Sequence, residues 1–249
     1  MPPASSRRRA LARGGAVLIL ALGAAACATE TGRTDAEVRR LVRAELAENP
    51  AIVRDALKKL VQRQKDREAA TTAGRIERLR PMLLDGHPAM GPAEAQHTLV
   101  QFYDYRCEHC RRASPAVQRL VTERATRVIY IPVAYVGPGS RRAARLALAA
   151  ARQDAFGPMH KALMAHEGAY SRDALMKLAV ATGLDRAALE RTMADDALPQ
   201  TLRRNERLAR AIGLKATPMF VTGRRAHTGA LPFAGLVRFL EGRSDRVDG

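Results

Sequence analysis

Cys107 and Cys110 are two of only three cysteines in the chain, and both lie in the stretch Phe102-Tyr103-Asp104-Tyr105-Arg106-Cys107-Glu108-His109-Cys110. Sulfurs at Cys-x-x-Cys spacing can close a small disulfide ring, or they can hold a metal ion from one side. A structural zinc site needs two further ligands. The sequence has no second cysteine pair to supply them, and His87 and His97 are residues such a site could recruit. His109 lies between the two cysteines, where an imidazolium would draw a neighbouring thiol toward the reactive range of about 3.5–7.5. Glu108 carries the opposite charge and opposes thiolate formation.

The elements that must position these side chains follow from the pattern around them. Thr98 to Tyr103 is a short apolar run rich in β-formers, which predicts a buried strand. Asp104 to Cys107 makes the turn, where Asp104 and Tyr105 shape the chain. Asp104 could also cap the helix or accept a proton. From Cys110 to Arg124 the pattern is amphipathic, with Ala113, Val117, Leu120 and Val121 on one face. Cys107 is therefore expected at a helix N-terminus, where free amides and the helix dipole favour a thiolate. Thr126 to Val133 predicts a second strand, and Gly137-Pro138-Gly139 a turn. Residues 140–212 read as a succession of helices, with Ser171 as one cap and an acidic cap at Asp185. Thr217 to Val221 is a strand entered through Pro218, Thr222 to Ala226 is hairpin-like, and Leu231 to Gly242 is a final helix. This order is α/β, a thioredoxin-like fold with a helical insertion. Met159, Met164, Met176 and Met193 fall at core-like helical spacing within the insertion.

An N-terminal helical arm precedes that domain. Arg7, Arg8, Arg9 and Arg13, then the apolar run Ala16 to Gly23, then Ala24-Ala25-Ala26-Cys27, read as a secretory signal over residues 1–26. The run is shorter than the roughly 20 residues of a membrane-spanning helix. Cys27 follows small residues as in a bacterial lipobox, with Ala24 where such boxes usually carry Leu, so Cys27 is the candidate for lipidation and a membrane anchor. Cleavage at an ordinary Ala-x-Ala site is the alternative. Residues 27–33 read as a linker, 34–80 as the arm, 81–97 as a second linker or the start of the domain, and 98–245 as the domain. Within the arm Val38, Leu41, Val42 and Leu46, then Val53, Leu57, Leu60 and Val61, form a narrow apolar stripe. That makes residues 34–65 a candidate homo-oligomerisation segment. The formal charge is +17, or +13 without the four arginines of the signal. The basic residues are spread over every helix and no nucleic-acid module is visible, so the charge reads as a solvated arginine-rich surface with no nucleic-acid partner.

Residues 102–110 resemble the active-site segment of the DsbA family of exported thiol–disulfide oxidoreductases, and Gly213-Leu-Lys-Ala-Thr-Pro-Met-Phe-Val221 resembles that family's cis-proline segment. Gly229-Ala-Leu-Pro-Phe233 resembles its closing turn, and the segment 34–65, with Glu48-Asn49-Pro50, resembles the N-terminal segment of ScsC-type proteins. The resemblance implies a catalytic pair, Cys107 as nucleophile and Cys110 as resolving thiol, cycling through a Cys107–Cys110 disulfide. It implies that His109 and Glu108 tune the thiolate, and that Thr217 and a cis Pro218 present backbone to a substrate. The implied function is to form, reduce or isomerise disulfides in exported proteins in the periplasm, without metal or cofactor and with a membrane redox partner. His109 matches the oxidases, whereas Thr217 and the arm match the isomerases. A copper-binding thiol protein of a metal-tolerance system is the competing expectation, since thiolates suit Cu(I).

Overall fold

The computed structural model describes residues 33–243. Helices α1 (Asp35–Glu48) and α2 (Pro50–Leu84) come first, followed by a two-residue strand, β1 (Ala89–Met90). Strand β2 (Thr98–Tyr103), helix α3 (Glu108–Glu123) and strand β3 (Arg127–Pro132) form a βαβ unit. Its two strands run parallel, from Thr98 opposite Arg127 to Tyr103 opposite Pro132. The insertion then supplies α4 (Pro138–Ala151), α5 (Phe156–Ala165), α6 (Arg172–Ala181), α7 (Arg186–Ala194) and α8 (Ala197–Ile212). Strands β4 (Met219–Thr222) and β5 (Arg225–Thr228) and helix α9 (Phe233–Glu241) complete the domain. The sheet order is β1-β3-β2-β4-β5, with every pairing except β2–β3 antiparallel.

Both faces of this sheet are covered, which is why its central strands read as continuous apolar runs rather than alternating ones. Side chains of period two divide between the faces. Leu99, Tyr103, Val128, Tyr130 and Phe220 join Val117 and Leu120 of α3, Leu146 of α4, Met159 of α5 and Leu236 of α9 in one core. Val100, Phe102, Ile129, Ile131, Met219 and Val221 face Leu208 and Ile212 of α8 together with Ile76 and Leu83 of α2. The buried Asn205 of α8 donates to the Pro132 carbonyl at 3.1 Å, tying that helix to the end of β3. Gly213 ends α8 in the left-handed region at φ 88°, which a glycine adopts without steric cost. Met159, Met164 and Met176 are core residues, with Met193 packed against them.

Contacts divide the chain between Lys59 and Leu60. In the first unit α1 buries no residue, and Val38, Leu41, Val42, Leu46, Ile52, Val53 and Leu57 are exposed. Thr34 caps α1 by accepting from the Glu37 amide at 3.3 Å. Cys27 and the proposed signal lie outside the described residues.

Two boundaries differ from those expected. The sequence ends the arm at Arg80 and makes 81–97 a linker or the start of the domain, whereas α2 continues through Pro81 to Leu84. A proline inside a helix costs about 3 kcal/mol. Burial of Ile76 and Leu83, 2% and 1% exposed, offsets it, so the last turns of α2 belong to the domain core and not to a separate arm. Within 81–97, β1 pairs with β3, Ala89 opposite Ile129. Pro138 occupies the first turn of α4 instead of a free turn, a position where its missing N–H is not needed. Because Leu83 is a core residue, Leu83→Ala is expected to lower unfolding free energy by about 2–5 kcal/mol in urea titrations. A loss under about 0.5 kcal/mol, the usual size for a surface residue, would place it outside the core.

Candidate active site

The site begins at the turn after β2. Asp104 is fully buried, and its carboxylate is satisfied by three backbone amides. Oδ1 accepts from Arg106 N at 2.8 Å, and Oδ2 accepts from Tyr135 N at 2.8 Å and Val136 N at 3.0 Å. The Asp104 carbonyl accepts from Cys107 N at 3.1 Å. One side chain therefore ties the β2–α3 turn to the loop between β3 and α4. Of the roles open to Asp104 in the sequence, this geometry is the turn-shaping one. Cys107 itself occupies the N-cap of α3, with no side-chain cap bond.

Cys107 is half-buried and Cys110 fully buried, and both thiols are free. The Cys107 thiol is lowered to about 5. The hydrogen bond from the Cys110 thiol is the largest cause. Burial acts against it, and the Thr217 side chain and the backbone amides of Cys110 and His109 add to it. The same sulfur–sulfur contact, followed by burial, pushes the Cys110 thiol far above the ordinary cysteine range. Across the site the Thr217–Pro218 peptide is cis. The Thr217 carbonyl lies 3.3 Å from Cys107 Sγ, accepting from the thiol when it is protonated, whereas the Thr217 side chain favours the thiolate. Gly229 N donates to the Pro218 carbonyl at 2.8 Å, so the closing turn holds the proline segment. The arrangement offers a stabilised thiolate at the surface, a protonated thiol behind it and an open backbone edge beside it.

The family profile of the DSBA-like thioredoxin domain matches residues 98–241. This chain belongs to that family. A thioredoxin-like oxidoreductase from Silicibacter pomeroyi is 32% identical, with a TM-score of 0.62 over 66% of this chain and 96% of that one. Proteus mirabilis ScsC in a transitional conformation is 25% identical with a TM-score of 0.61, over 84% of this chain and 95% of that one. That coverage exceeds the family-profile span, so the likeness to ScsC takes in helical residues before the thioredoxin domain. Among curated proteins, the Na(+)/H(+) antiporter NhaA 3 of Salinispora tropica is 33% identical over 159 residues, 62% of this chain and 24% of that protein. The chain thus spans about a quarter of the length of the curated relatives it matches.

Within this DsbA-like site, the side chains of the two residues between the cysteines meet on Arg112. Glu108 and His109 are both exposed. The Glu108 carboxylate pairs with Arg112 Nη1, and Arg112 Nη2 lies 2.8 Å from His109 Nδ1. A guanidinium only donates, so in this contact His109 Nδ1 is the acceptor. The His109 backbone amide is among the largest effects that lower the Cys107 thiol, and the Glu108 carboxylate has Arg112 as its ion-pair partner. Arg112 is absent from the sequence-derived site, although its spacing of three and four residues from His109 and Glu108 is the signal that finds it.

A neutral aromatic floor underlies Cys110. The Tyr103 and Tyr105 hydroxyls are 3.0 Å apart, and the Tyr105 hydroxyl is 3.0 Å from His160 Nδ1. Burial lowers His160 to about 3 and raises both tyrosines, so all three stay uncharged. Among the described residues no group of three or more His, Cys, Asp or Glu side chains is placed to hold a metal. His87 instead donates from Nε2 to the Met82 carbonyl at 2.9 Å. Thr217→Val keeps the shape of the site and removes the hydroxyl. It should raise the Cys107 pKa and slow alkylation by iodoacetamide at pH values near 5. An unchanged pH profile of alkylation would show that the hydroxyl does not act on the sulfur.

Proposed function

We propose that this chain is a thiol–disulfide oxidoreductase that acts on protein substrates outside the cytoplasm. The observation that carries the reading is the asymmetry of the cysteine pair: Cys107 is half-buried and lowered to about 5, while Cys110 is buried and raised. In the oxidising direction a substrate thiolate attacks Cys107 Sγ of the Cys107–Cys110 disulfide, and Cys110 leaves and takes up a proton. The second substrate thiolate then attacks the substrate sulfur of the mixed disulfide. A substrate disulfide forms and Cys107 leaves as a thiolate. Reduction runs the same steps backward. Thr217 and Pro218 offer the backbone edge on which an extended substrate segment lies.

A stable Cys107 thiolate stabilises the dithiol, which makes the disulfide form the better oxidant and favours disulfide formation over reduction. That direction needs an electron acceptor, and a membrane redox partner is the proposed one. The oxidising compartment accords with the signal-like residues 1–26, and a lipid at Cys27 would anchor the chain there. The exposed apolar stripe over residues 34–65 is proposed to pair with copies of itself. The antiporter name belongs to the longer relatives, whereas the exchange chemistry is assigned on the cysteine geometry of this chain. The competing copper-binding reading is carried by no observation beyond the two thiols themselves.

Cys107→Ser is expected to abolish both oxidation of a reduced model protein and reduction of insulin by dithiothreitol. Cys110→Ser should accumulate a mixed disulfide with substrate, visible on non-reducing gels. Full activity in Cys107→Ser would refute the assignment.

A further inference from the structure

Arg106 directly precedes Cys107 and is exposed, yet its side chain is held in a built position. Its stem crosses Gly139, where an added Cβ would stand 2.9 Å from Arg106 Cδ and 2.8 Å from Tyr170 Cβ. At Gly137 a Cβ would lie 3.6 Å from Arg106 Nη1. The guanidinium carbon is 5.7 Å from the centre of the Tyr170 ring, and Nη1 donates to the Val136 carbonyl at 3.3 Å. Tyr170 is anchored in turn, its hydroxyl donating to the Tyr105 carbonyl at 3.2 Å. The small residues of Gly137-Pro138-Gly139 thus leave room for Arg106 at the mouth of the site.

Its neighbours on α3 are differently employed. Arg111 faces Glu167 and Arg112 pairs with Glu108. Among the described residues no carboxylate pairs with Arg106. A guanidinium has five N–H donors, and the Val136 carbonyl takes one. In the same loop Tyr135 and Val136 are 48% and 45% exposed.

We propose that Arg106 is a specificity-determining residue that receives a carboxylate lying beside the reacting sulfur of a polypeptide substrate. The proposal rests on Cys107 performing thiol–disulfide exchange. Planar, bidentate donation suits an Asp or Glu side chain. The exposed apolar side chains of Tyr135 and Val136, the latter on the residue whose carbonyl Arg106 holds, offer contact area suited to a polypeptide. The largest effects that lower the Cys107 thiol come from the Cys110 thiol, the Thr217 side chain and the amides of Cys110 and His109, and Arg106 is not among these. Its removal is therefore expected to change substrate choice more than it changes the nucleophile.

The test uses the full chain in its reduced form and two disulfide-linked peptides that differ only in Asp or Lys beside the cysteine, with glutathione disulfide as a third substrate. The wild type should react faster with the Asp peptide by about fivefold at low salt, the upper range for an exposed ion pair. That ratio should fall to about one in Arg106→Gln and invert in Arg106→Glu. It should also collapse in 1 M salt, where the screening length is about 3 Å. The thiolate titration and the rate with a neutral peptide should match those of the wild type. A preference that persists in Arg106→Gln overturns the proposal, as does an equal slowing of both peptides, which marks a structural role. A loss confined to glutathione disulfide overturns the polypeptide assignment. Exchange that continues in Cys107→Ser would instead overturn the underlying reaction, a result separate from any of these.

Discussion

Two sulfurs share one proton, and the rest of the site serves that arrangement. Burial opposes a charge on either cysteine. On Cys107 hydrogen bonds from the Cys110 thiol, the Thr217 side chain and the first amides of α3 outweigh it, and on Cys110 the sulfur contact and burial act together. Each donor comes from a different part of the chain. The β2–α3 turn places the cysteines, the β4 entry brings Thr217 across 110 residues of sequence to Cys107, and the aromatic floor of Tyr103, Tyr105 and His160 stays neutral beneath them. The sheet holds these parts in register because both of its faces are packed.

Linkage gives this arrangement a sign. Cys107 is depressed in the folded dithiol, so its contribution to stability is fully present above the ordinary thiol range of about 8.5. It shrinks as pH falls and is gone below about 5. The disulfide form has no such titration, so acid weakens the dithiol relative to the disulfide. The same thiolate stabilisation that makes Cys107 a good leaving group thus makes the dithiol form acid-sensitive.

Much of this was legible in the residues. The strand–turn–helix around Cys107 and Cys110 follows from a β-rich run meeting an amphipathic pattern, and Thr217-Pro218 stands out through family resemblance. Contacts between distant segments were not legible. Nothing in the local pattern says that the Asp104 carboxylate binds amides at Tyr135 and Val136, or that Tyr170 reaches the turn from the insertion. Pro81 punctuates the sequence as a helix stop, and only the packing of Ile76 and Leu83 carries α2 past it. Glu108 reads as an obstacle to a reactive thiolate until Arg112, one helical turn on, is seen to hold it. The largest effects that lower the Cys107 thiol are hydrogen bonds from the Cys110 thiol, the Thr217 side chain and the first amides of α3, and of these the Thr217 contact is one between segments rather than a feature of the local pattern.

The shared proton is tested most directly by following thiolate absorbance in the ultraviolet as the reduced protein is titrated, with the oxidised protein as blank and Cys110→Ala beside the wild type. A midpoint of about 5 in the wild type, shifted upward when the Cys110 thiol is removed, is the predicted result. A wild-type midpoint at the ordinary value of about 8.5, or one that Cys110→Ala leaves unmoved, would contradict it.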